Sequence, residues 1–341
     1  MNLSETIHEA MFWEALEDGK VRCNLCPHKC VIPPGGFGAC RVRKNIDGKL
    51  YTVIYGLASS IAVDPIEKKP FYHLDPGSQA LSLATWGCNL KCPHCQNWEI
   101  SQSEPLEYYS RKMTPEDVLR FLDQTHADGI SWTYNEPTIW YEFIYESSKL
   151  VRENTDAYIT WVTNGFINPE PLRKIAPYID GMNIDYKGPD QAYRLFGGRL
   201  DPVRETIKTA HKLGIHIELT YLVIPTINDK EEDIKDFITF VAELDPEIPI
   251  HFTRFFPHYK MRHLPPTPIE TLIKAHDMAK KEGLHYVYVG NILDERFNTT
   301  YCPSCKKPII GRSLFSITFY NITKDLKCAY CGHKIRIWKK E

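Results

Sequence analysis

The sequence has no stretch of about 18 apolar residues free of charge, which is the length that a membrane-spanning helix requires. Residues 1–16 contain acidic side chains and lack the continuous apolar run of a secretory signal. The net charge is only −2 over 341 residues, so no strong global attraction to nucleic acid or to an anionic membrane is implied. We therefore expect a cytoplasmic protein whose main partner is neither a membrane nor nucleic acid.

Cysteine, in contrast, is abundant for a chain expected in a reducing compartment. Nearly all of the eleven cysteines lie in C-x2-C or C-x3-C spacings, which suit metal chelation better than a disulfide framework. They form a set of four, a set of three and another set of four: Cys23, Cys26, Cys30 and Cys40; Cys88, Cys92 and Cys95; Cys302, Cys305, Cys328 and Cys331. Two complete sets flank an incomplete one, and the incomplete set is the expected reaction centre.

The central set lacks a fourth cysteine. Its C-x3-C-x2-C spacing follows a short apolar run, Ala80 to Trp86, that predicts a buried strand. Three thiolates on one loop can hold three irons of a [4Fe–4S] cluster and leave the fourth iron open to a substrate or cofactor. The alternative is a zinc site that takes a distant fourth ligand such as His94.

The two flanking sets are expected to bind metal of their own. In the C-terminal set, 22 residues separate the two C-x2-C pairs, which predicts a zinc ribbon whose folding depends on the metal. The N-terminal spacing C-x2-C-x3-C-x9-C fits either zinc or an auxiliary iron–sulfur cluster, and the sequence leaves both open.

Strand and helix patterns alternate from 81 to about 291, which indicates a parallel sheet with crossover helices. The sequence therefore predicts an α/β fold with a partial (β/α)6-type barrel at 81–295, a Cys-rich extension at 1–80 and a zinc-ribbon-like module at 296–341. The expected strands are 81–86, 130–134, 158–163, 181–186, 215–224, 249–255 and 285–290. The expected helices are 115–126, 138–153, 169–176, 202–213, 231–243 and 267–282.

Polar residues follow the apolar bodies of five of these strands. In α/β barrels the chemistry takes place at the carboxyl ends of the strands, and the Cys88 loop directly follows the first strand. The sequence therefore predicts one polar pocket at that end. The charged segment 64–73, which contains Lys68, Lys69 and His73, is expected to be a solvated connection rather than part of the pocket.

The run from Gly87 to Asn97, together with Asn135-Glu136-Pro137, resembles the radical S-adenosylmethionine (SAM) enzymes of the pyruvate formate-lyase-activating type. The likeness is closer still to the radical SAM component of the AmmeMemoRadiSam system, and it extends over about residues 21–334. The resemblance implies a [4Fe–4S] cluster on Cys88, Cys92 and Cys95 whose open iron chelates the amino and carboxylate groups of SAM.

The resemblance also implies cofactor contacts at positions that match the family's motifs. His94 stands where the family has an aromatic residue whose backbone lies beside the adenine of SAM. Asn135, Glu136 and Pro137 stand where the family binds the SAM ammonium, although Tyr134 and Asn135 replace two glycines of that motif.

Further contacts are implied at the ends of later strands. Thr163 and Asn164 match an Asp-Thr-Asn-Gly motif whose aspartate is Val162 here, which puts a monovalent cation site in doubt. Lys187 is expected to pair with the SAM carboxylate and Asp185 to help bind that monovalent cation, the alternative for both being a salt bridge that closes a barrel end. His258 or Tyr259 is expected near the ribose, with a surface loop as the alternative.

In this family a reduced cluster donates one electron to the SAM sulfonium, which yields methionine and a 5′-deoxyadenosyl radical that takes hydrogen from a substrate. The resemblance therefore implies an oxidoreductase that uses an electron donor such as flavodoxin or ferredoxin, with Memo-like and AMMECR1-like proteins as partners. Two alternatives remain: an activase of a glycyl-radical enzyme, and a non-catalytic metal-bearing scaffold whose basic ribbon binds nucleic acid.

Overall fold

The computed structural model describes residues 6–105 and 110–339. The N-terminal region forms two small antiparallel sheets around the first four cysteines, with strand orders β1-β6-β5 and β2-β3-β4. The strands of this region are β1 His8–Glu9, β2 Trp13–Ala15, β3 Val21–Cys23, β4 Val31–Ile32, β5 Arg43–Ile46, β6 Lys49–Thr52, β7 Leu57–Ala58 and β8 Ser60–Pro65.

An open eight-stranded sheet forms the centre of the molecule. Seven strands run parallel, because each is joined to the next by a crossover that contains helices. The remaining strand, β8, lies N-terminal to the predicted barrel boundary and pairs antiparallel with β9. The strands that follow β8 are β9 Gln79–Ala84, β10 Arg111–Lys112, β11 Gly129–Trp132, β12 Tyr158–Thr163, β13 Gly181–Asp185, β14 His216–Val223, β15 Ile250–Arg254 and β16 Val287–Gly290. The short β10 pairs with β7 outside this sheet.

Helices cover the outer face of the sheet, and their apolar stripes face the strands. The helix α2 begins at a capping box, in which the Thr114 side chain accepts from the Asp117 backbone N–H and Asp117 in turn accepts from the Thr114 N–H. The helices are α1 Trp98–Ser101, α2 Pro115–Thr125, α3 Tyr141–Asn154, α4 Pro169–Ile175, α5 Asp190–Leu195, α6 Leu200–Lys212, α7 Glu231–Leu244 and α8 Ile269–Lys281. The predicted α/β fold with a partial barrel is confirmed, and every predicted strand and helix is present within a few residues of its expected bounds.

The C-terminal segment folds into a three-stranded antiparallel sheet of β17 Thr300–Tyr301, β18 Pro308–Ser313 and β19 Ser316–Tyr320. Its core packs on the barrel through Tyr72, Tyr286 and Tyr288, which belong to the same buried cluster as Ile309 and Ile335. In the described parts of the chain, no helix has the length and apolar character needed to cross a membrane.

The expectation of a solvated connection at 64–73 holds for Lys68, whose side chain is 44% exposed, but it is wrong for Lys69 and His73. Lys69 is 2% exposed and His73 is fully buried. The carboxylate of Glu218, buried inside the barrel, accepts from the backbone N–H groups of Tyr72 and His73 at 2.9 and 2.7 Å. These contacts hold the segment against the barrel interior, because a buried carboxylate needs donors and the chain supplies them from the segment's backbone.

His73 joins this segment to the ribbon. Its Nδ1 donates to the Arg336 carbonyl at 2.6 Å, and its Nε2 lies 2.6 Å from the Tyr288 hydroxyl. Burial lowers the pKa of His73 from 6.5 to about 3. A histidine with a lowered pKa in the folded state stabilises the fold above pH 6.5, and this contribution is lost as the pH falls from 6.5 towards 3.

We therefore expect a His73→Gln variant to lose less stability than the wild type between pH 7 and pH 5. The difference should be about 2 kcal/mol, because the unfolded chain takes up a proton in this range and the folded chain does not. The check is the free energy of unfolding in urea at both pH values. The control is His263→Gln, which replaces an exposed histidine. If the free energy of unfolding changed equally between the two pH values in both variants, the lowered pKa of His73 would be contradicted.

Candidate functional site

The Cys88–Cys95 loop leaves the carboxyl end of β9, at the end of the barrel where parallel strands present their polar residues. The loop starts at Gly87, whose φ of +91° is in the left-handed region that favours glycine. A Cβ at this position would lie 2.9 Å from Val42 Cγ1 and 3.1 Å from the Cys40 carbonyl oxygen. Glycine is therefore required both by the backbone conformation and by the close approach of the N-terminal region.

The sulfur atoms of this loop are grouped less tightly than the ligands of a single ion would be. Among the described residues, only the four ribbon cysteines bring three or more potential ligand atoms within 4.8 Å of one another. At least one pair of the Cys88, Cys92 and Cys95 sulfurs is therefore further apart than 4.8 Å. In a [4Fe–4S] cluster each cysteine binds its own iron, which separates the sulfurs further than one zinc ion does. The residues present fit the cluster.

Burial raises the pKa of all three thiols, to about 12 for Cys92. Uncoordinated thiols would therefore stay protonated, and metal binding must displace the protons. Two donors point at the Cys88 sulfur: the Leu90 N–H at 3.4 Å and the Asn164 side-chain amide at 3.7 Å. Such donors to a thiolate influence the reduction potential of a bound cluster.

Glu136 joins the end of β11 to the end of β12. Its Oε1 accepts from the Thr163 hydroxyl at 2.7 Å and the Thr138 N–H at 2.9 Å, and its Oε2 accepts from the Asn164 N–H at 2.8 Å. Burial raises the pKa of Glu136. Pro137 begins the 3₁₀ turn Pro137–Trp140 directly after it. The structure thus brings three of the predicted cofactor residues, Glu136, Thr163 and Asn164, into one hydrogen-bonded group in which Thr163 and Asn164 orient the carboxylate.

Tyr134 and Asn135, which replace the family's glycines, both support the cysteine loop. Tyr134 adopts φ +67°, an unusual conformation for a residue other than glycine, and its carbonyl accepts from the Asn97 amide at 2.6 Å. The Asn135 side chain donates to the Gly87 carbonyl at 2.9 Å and accepts from the Thr85 N–H at 3.3 Å. The two departures from the motif therefore add side-chain contacts to the start of the loop.

Asp185 and Lys187 form an ion pair at the end of β13, with Lys187 Nζ 2.9 Å from Asp185 Oδ2. Burial alone would lower the pKa of Lys187, but the charge of Asp185 and that of the Cys92 thiolate raise it above its usual value. Lys187 is therefore cationic and close to the cysteine loop. Both residues also line the cavity described below, so the salt bridge and a role in binding are compatible.

His94 lies beside Phe196, with ring centroids 4.7 Å apart. Burial, reinforced by the charge of Lys187, lowers the pKa of His94 to about 3, so the ring is neutral. Its Nδ1 is buried and has no hydrogen-bond partner among the residues that the structure describes. A buried polar atom at a cavity wall without a protein partner fits a bound ligand that supplies one.

These groups surround a cavity of about 1090 Å³ inside the barrel. Single ligand sites commonly measure about 300–1,000 Å³, so this cavity has room for more than one small molecule. The predicted site residues that line it are Cys88, Cys92, His94, Cys95, Asn135, Glu136, Thr163, Asn164, Asp185 and Lys187. His258 is exposed and is not among the lining residues. Its loop contributes Phe256 to the cavity wall, and the Lys260 N–H donates to the Pro93 carbonyl at 3.0 Å.

Lys69 lines the same cavity, although the sequence placed it on a solvated connection. Its Nζ is 2.7 Å from Asp64 Oδ2 and 3.9 Å from the centre of the Tyr134 ring. Burial lowers the pKa of Lys69 to about 8. The segment lies within the residues 21–334 over which the family likeness extends, but its charge-rich composition favoured a surface assignment.

The ribbon brings its four sulfur atoms within 4.8 Å of one another, a group that could hold a metal ion. Cys302 and Cys331 are 3.7 Å apart, as are Cys305 and Cys328. Four thiolates around one tetrahedral ion at about 2.3 Å lie about 3.8 Å from one another. The predicted grouping of these four cysteines is therefore present in the fold.

Comparison with known proteins identifies the same segment. The sequence profile of the radical SAM superfamily matches residues 83–238, from the end of β9 into α7. A Methanocaldococcus jannaschii protein described as uncharacterized is 47% identical over 334 residues, which are 97% of this chain and 99% of that protein. A putative glycyl-radical enzyme activating enzyme of the same organism is 27% identical over 179 residues, or 50% of this chain and 71% of that protein.

Two solved structures align with part of this chain. SuiB of Streptococcus suis bound to SAM aligns with a TM-score of 0.49 at 16% identity, covering 62% of this chain and 51% of that chain. A domain of the pyruvate-formate lyase-activating enzyme of Bacteroides vulgatus aligns with a TM-score of 0.42 at 17% identity, covering 48% of this chain and 100% of that chain.

The matched profile begins just before the three-cysteine loop, and the cavity residues contributed by β11, β12 and β13 all lie inside it. The chain therefore belongs to the radical SAM superfamily, whose members are enzymes that bind SAM and an iron–sulfur cluster.

Proposed function

We propose that the protein cleaves SAM reductively at a [4Fe–4S] cluster on Cys88, Cys92 and Cys95 and uses the resulting radical on a second molecule held in the same cavity. The observation that carries this proposal is the three-cysteine loop opening into a cavity that also contains Glu136 and Lys187. When bound, the cluster supplies one electron to the SAM sulfonium and so produces methionine and a 5′-deoxyadenosyl radical, which abstracts hydrogen.

The protein's own residues bind and orient SAM in this proposal. Lys187 is a cation paired with Asp185, and its side chain is only 13% exposed, so it can pair with the SAM carboxylate through a charge-assisted bond. Glu136 has one oxygen, Oε2, with a single protein donor, which leaves acceptor capacity for the SAM ammonium. His94 Nδ1 provides an unpaired polar atom for the adenine side. Proposed roles for Asn135, Pro137, Thr163 and Asn164 are to position these groups.

The substrate enters, in this proposal, through the rim formed by the barrel and the ribbon. Five large apolar side chains line the cavity and are also exposed: Phe256, Ile269, Leu293, Leu314 and Phe315. Exposed apolar side chains grouped at a cavity mouth are characteristic of an interaction site. They support a protein partner over the opening, and the partners that the family likeness suggests are Memo-like and AMMECR1-like proteins.

Zinc at the ribbon is also part of the proposal. The 3.7 Å sulfur separations support it, because they match one tetrahedral ion. Zinc there would stabilise a small unit with a limited core of its own. The ribbon tip, with Leu314 and Phe315, forms part of the cavity rim, so the ion would also fix one wall of the substrate opening.

A second candidate function is activation of a glycyl-radical enzyme, which the 27% identity to a putative activating enzyme favours. In that case the molecule presented at the cavity would be a peptide loop of a large partner. A glycyl radical detected by EPR in a partner chain after anaerobic incubation with reduced protein and SAM would identify this function.

The proposal is tested by anaerobic reconstitution with iron and sulfide, followed by reduction with dithionite in the presence of SAM. We expect a shift of the cluster's EPR signal when SAM is added, and 5′-deoxyadenosine and methionine released in equal amounts. Cluster-loaded protein that binds no SAM would overturn the proposal.

A further inference from the structure

We propose that the N-terminal cysteines Cys23, Cys26, Cys30 and Cys40 hold a second [4Fe–4S] cluster rather than zinc, and that this cluster passes electrons to the Cys88–Cys95 site. The assignment of the metal stands by itself. The electron-relay role rests on the function proposed above.

Sulfur spacing carries the first part. Within the described residues, which include all four N-terminal cysteines, only the ribbon has three or more ligand atoms within 4.8 Å of one another. No three of the N-terminal sulfurs therefore approach as closely as the ribbon sulfurs do, whereas thiolates on one zinc would lie about 3.8 Å apart. The N-terminal set shares its wider spacing with Cys88, Cys92 and Cys95. Four thiolates that each bind a separate iron require this wider arrangement.

Donors around these sulfurs support the same assignment. The Ala39 N–H donates to Cys30 Sγ at 3.4 Å, and the Arg43 guanidinium donates to Cys23 Sγ at 3.6 Å. Arg43 is 1% exposed, so its charge acts on the site with little screening by water. Hydrogen bonds and a fixed positive charge next to the sulfurs are the means by which proteins set the reduction potential of a cluster.

The second part rests on direct contact between the two cysteine loops. The Cys40 carbonyl oxygen is 3.1 Å from the Cβ position of Gly87, the residue before Cys88. On the other side, His28, which lies between Cys26 and Cys30, donates through Nε2 to the Asn89 carbonyl at 2.7 Å. Each loop therefore touches the other next to its own ligands, so the two centres are neighbours with packed protein between them.

The site has an outer and an inner half. Cys26 and Cys30 are partly exposed, whereas Cys23 and Cys40 are buried. An external one-electron donor, such as a reduced flavin or iron–sulfur protein, can approach the partly exposed Cys26 and Cys30, while the Cys40 carbonyl lies next to Gly87 at the start of the Cys88 loop. One electron enters the second cluster and one leaves it for the cluster in the barrel, so no bond is made or broken and no proton is required.

The metal is identified with the full chain carrying Cys88→Ala, Cys92→Ala and Cys95→Ala together. After anaerobic reconstitution we expect about four irons and four sulfides per chain to remain, since each [4Fe–4S] cluster contains that number. Zinc bound at both flanking sets, with no iron retained, would overturn the assignment. This measurement does not depend on SAM, so its result tests the identity of the second metal centre independently of the proposed function.

In the fully reduced wild type, two neighbouring paramagnetic clusters should also broaden each other's EPR signals. The triple variant should show the narrower signal of one isolated cluster. Identical line shapes in the two proteins would contradict the close placement of the clusters, whatever the activity.

The relay is tested by comparing two reductants. In a Cys26→Ala/Cys30→Ala variant we expect SAM cleavage driven by reduced flavodoxin to fall by about tenfold or more, which corresponds to about 1.4 kcal/mol in the barrier. Cleavage driven by dithionite, which is small enough to enter the cavity, should change far less. Lys29→Ala, an exposed substitution between the two cysteines, is the control and should match the wild type.

An unchanged rate with flavodoxin in the double variant, or an equal loss with both reductants, would overturn the relay. If the wild type cleaves no SAM with either reductant, the proposed function fails while the iron count still decides the identity of the second centre.

Discussion

Replacing Cys92 by alanine is expected to abolish SAM cleavage while leaving the fold intact. Cys92 is the middle of the three cysteines in the loop, and its sulfur lines the cavity. With only two thiolates, two irons of the cluster would lack a protein ligand. The arrangement with a single open iron could then not form. We expect the release of 5′-deoxyadenosine to fall to the background of the protein without iron.

The fold should survive because the substitution removes one buried sulfur from a loop and not from the packed sheet. A loss of about 1 kcal/mol is the usual size of such a change. Circular dichroism and the urea midpoint of the metal-free protein measure it. Iron content should fall by about four per chain, while iron bound at the N-terminal set should remain.

The matched control is Lys91→Ala, one residue earlier in the same loop. The Lys91 side chain is exposed, whereas its backbone N–H donates to the Phe196 carbonyl at 2.7 Å and is kept in the variant. We expect this variant to retain its iron and its activity. If Cys92→Ala cleaved SAM at a rate within about tenfold of the control, the two barriers would differ by only about 1.4 kcal/mol. That result would show that the reaction takes place elsewhere.

The architecture could be predicted from the sequence because its signals are local. Buried parallel strands are short apolar runs, and the amphipathic helices between them have caps such as Thr114. The cysteine loop was found in the same way, because its spacing within eight residues determines its chemistry. Grouping Glu136, Asp185 and Lys187 then required only the rule that strand ends meet at one rim of a barrel.

Features that depend on distant partners could not be predicted. The segment with Lys69 and His73 is buried because Glu218, about 145 residues away, accepts from its backbone. A charge-rich sequence predicts exposure unless those partners are known. The exposure of His258 could not be predicted for a similar reason. The family likeness identified the matching position in the sequence, but the path of the loop around it depends on tertiary packing.

The choice between zinc and a second cluster at the N-terminal set also needed the structure. Four cysteines within 18 residues are compatible with both metals, since chain spacing limits only how far apart the ligands can be. The wider spacing of the N-terminal sulfurs, compared with those of the ribbon, is the observation that supports the proposed second cluster.

The N-terminal region is fixed to the barrel by an ion pair that joins residues 99 positions apart. Arg43 of β5 and Glu142 of α3 are both 1% exposed, and the arginine donates to the Glu142 carboxylate. The same carboxylate oxygen accepts from the Met11 N–H at 2.8 Å, and Arg43 also donates to the Met11 carbonyl at 2.9 Å. Burial alone would lower the pKa of Arg43, but the Glu142 charge raises it above its usual value, so the guanidinium is cationic.

We expect Glu142→Ala to lower the free energy of unfolding by about 3–5 kcal/mol, because it leaves a buried guanidinium without a counter-charge. Glu153→Ala on the same helix is the control; its side chain is 58% exposed, so the expected change is within about 0.5 kcal/mol. Urea unfolding under anaerobic conditions measures both. A double variant, Arg43→Met/Glu142→Leu, should recover most of the loss, since an apolar pair of similar volume carries no uncompensated charge.

The same substitution also separates folding from electron transfer. Arg43 donates to Cys23 Sγ, so a displaced guanidinium disturbs the N-terminal cysteines before it reaches the barrel. Glu142→Ala should therefore lose iron from the N-terminal set at urea concentrations at which the Cys88–Cys95 loop still holds its cluster. Simultaneous loss of both centres, or equal stability of Glu142→Ala and Glu153→Ala, would show that this ion pair does not hold the two cysteine loops together.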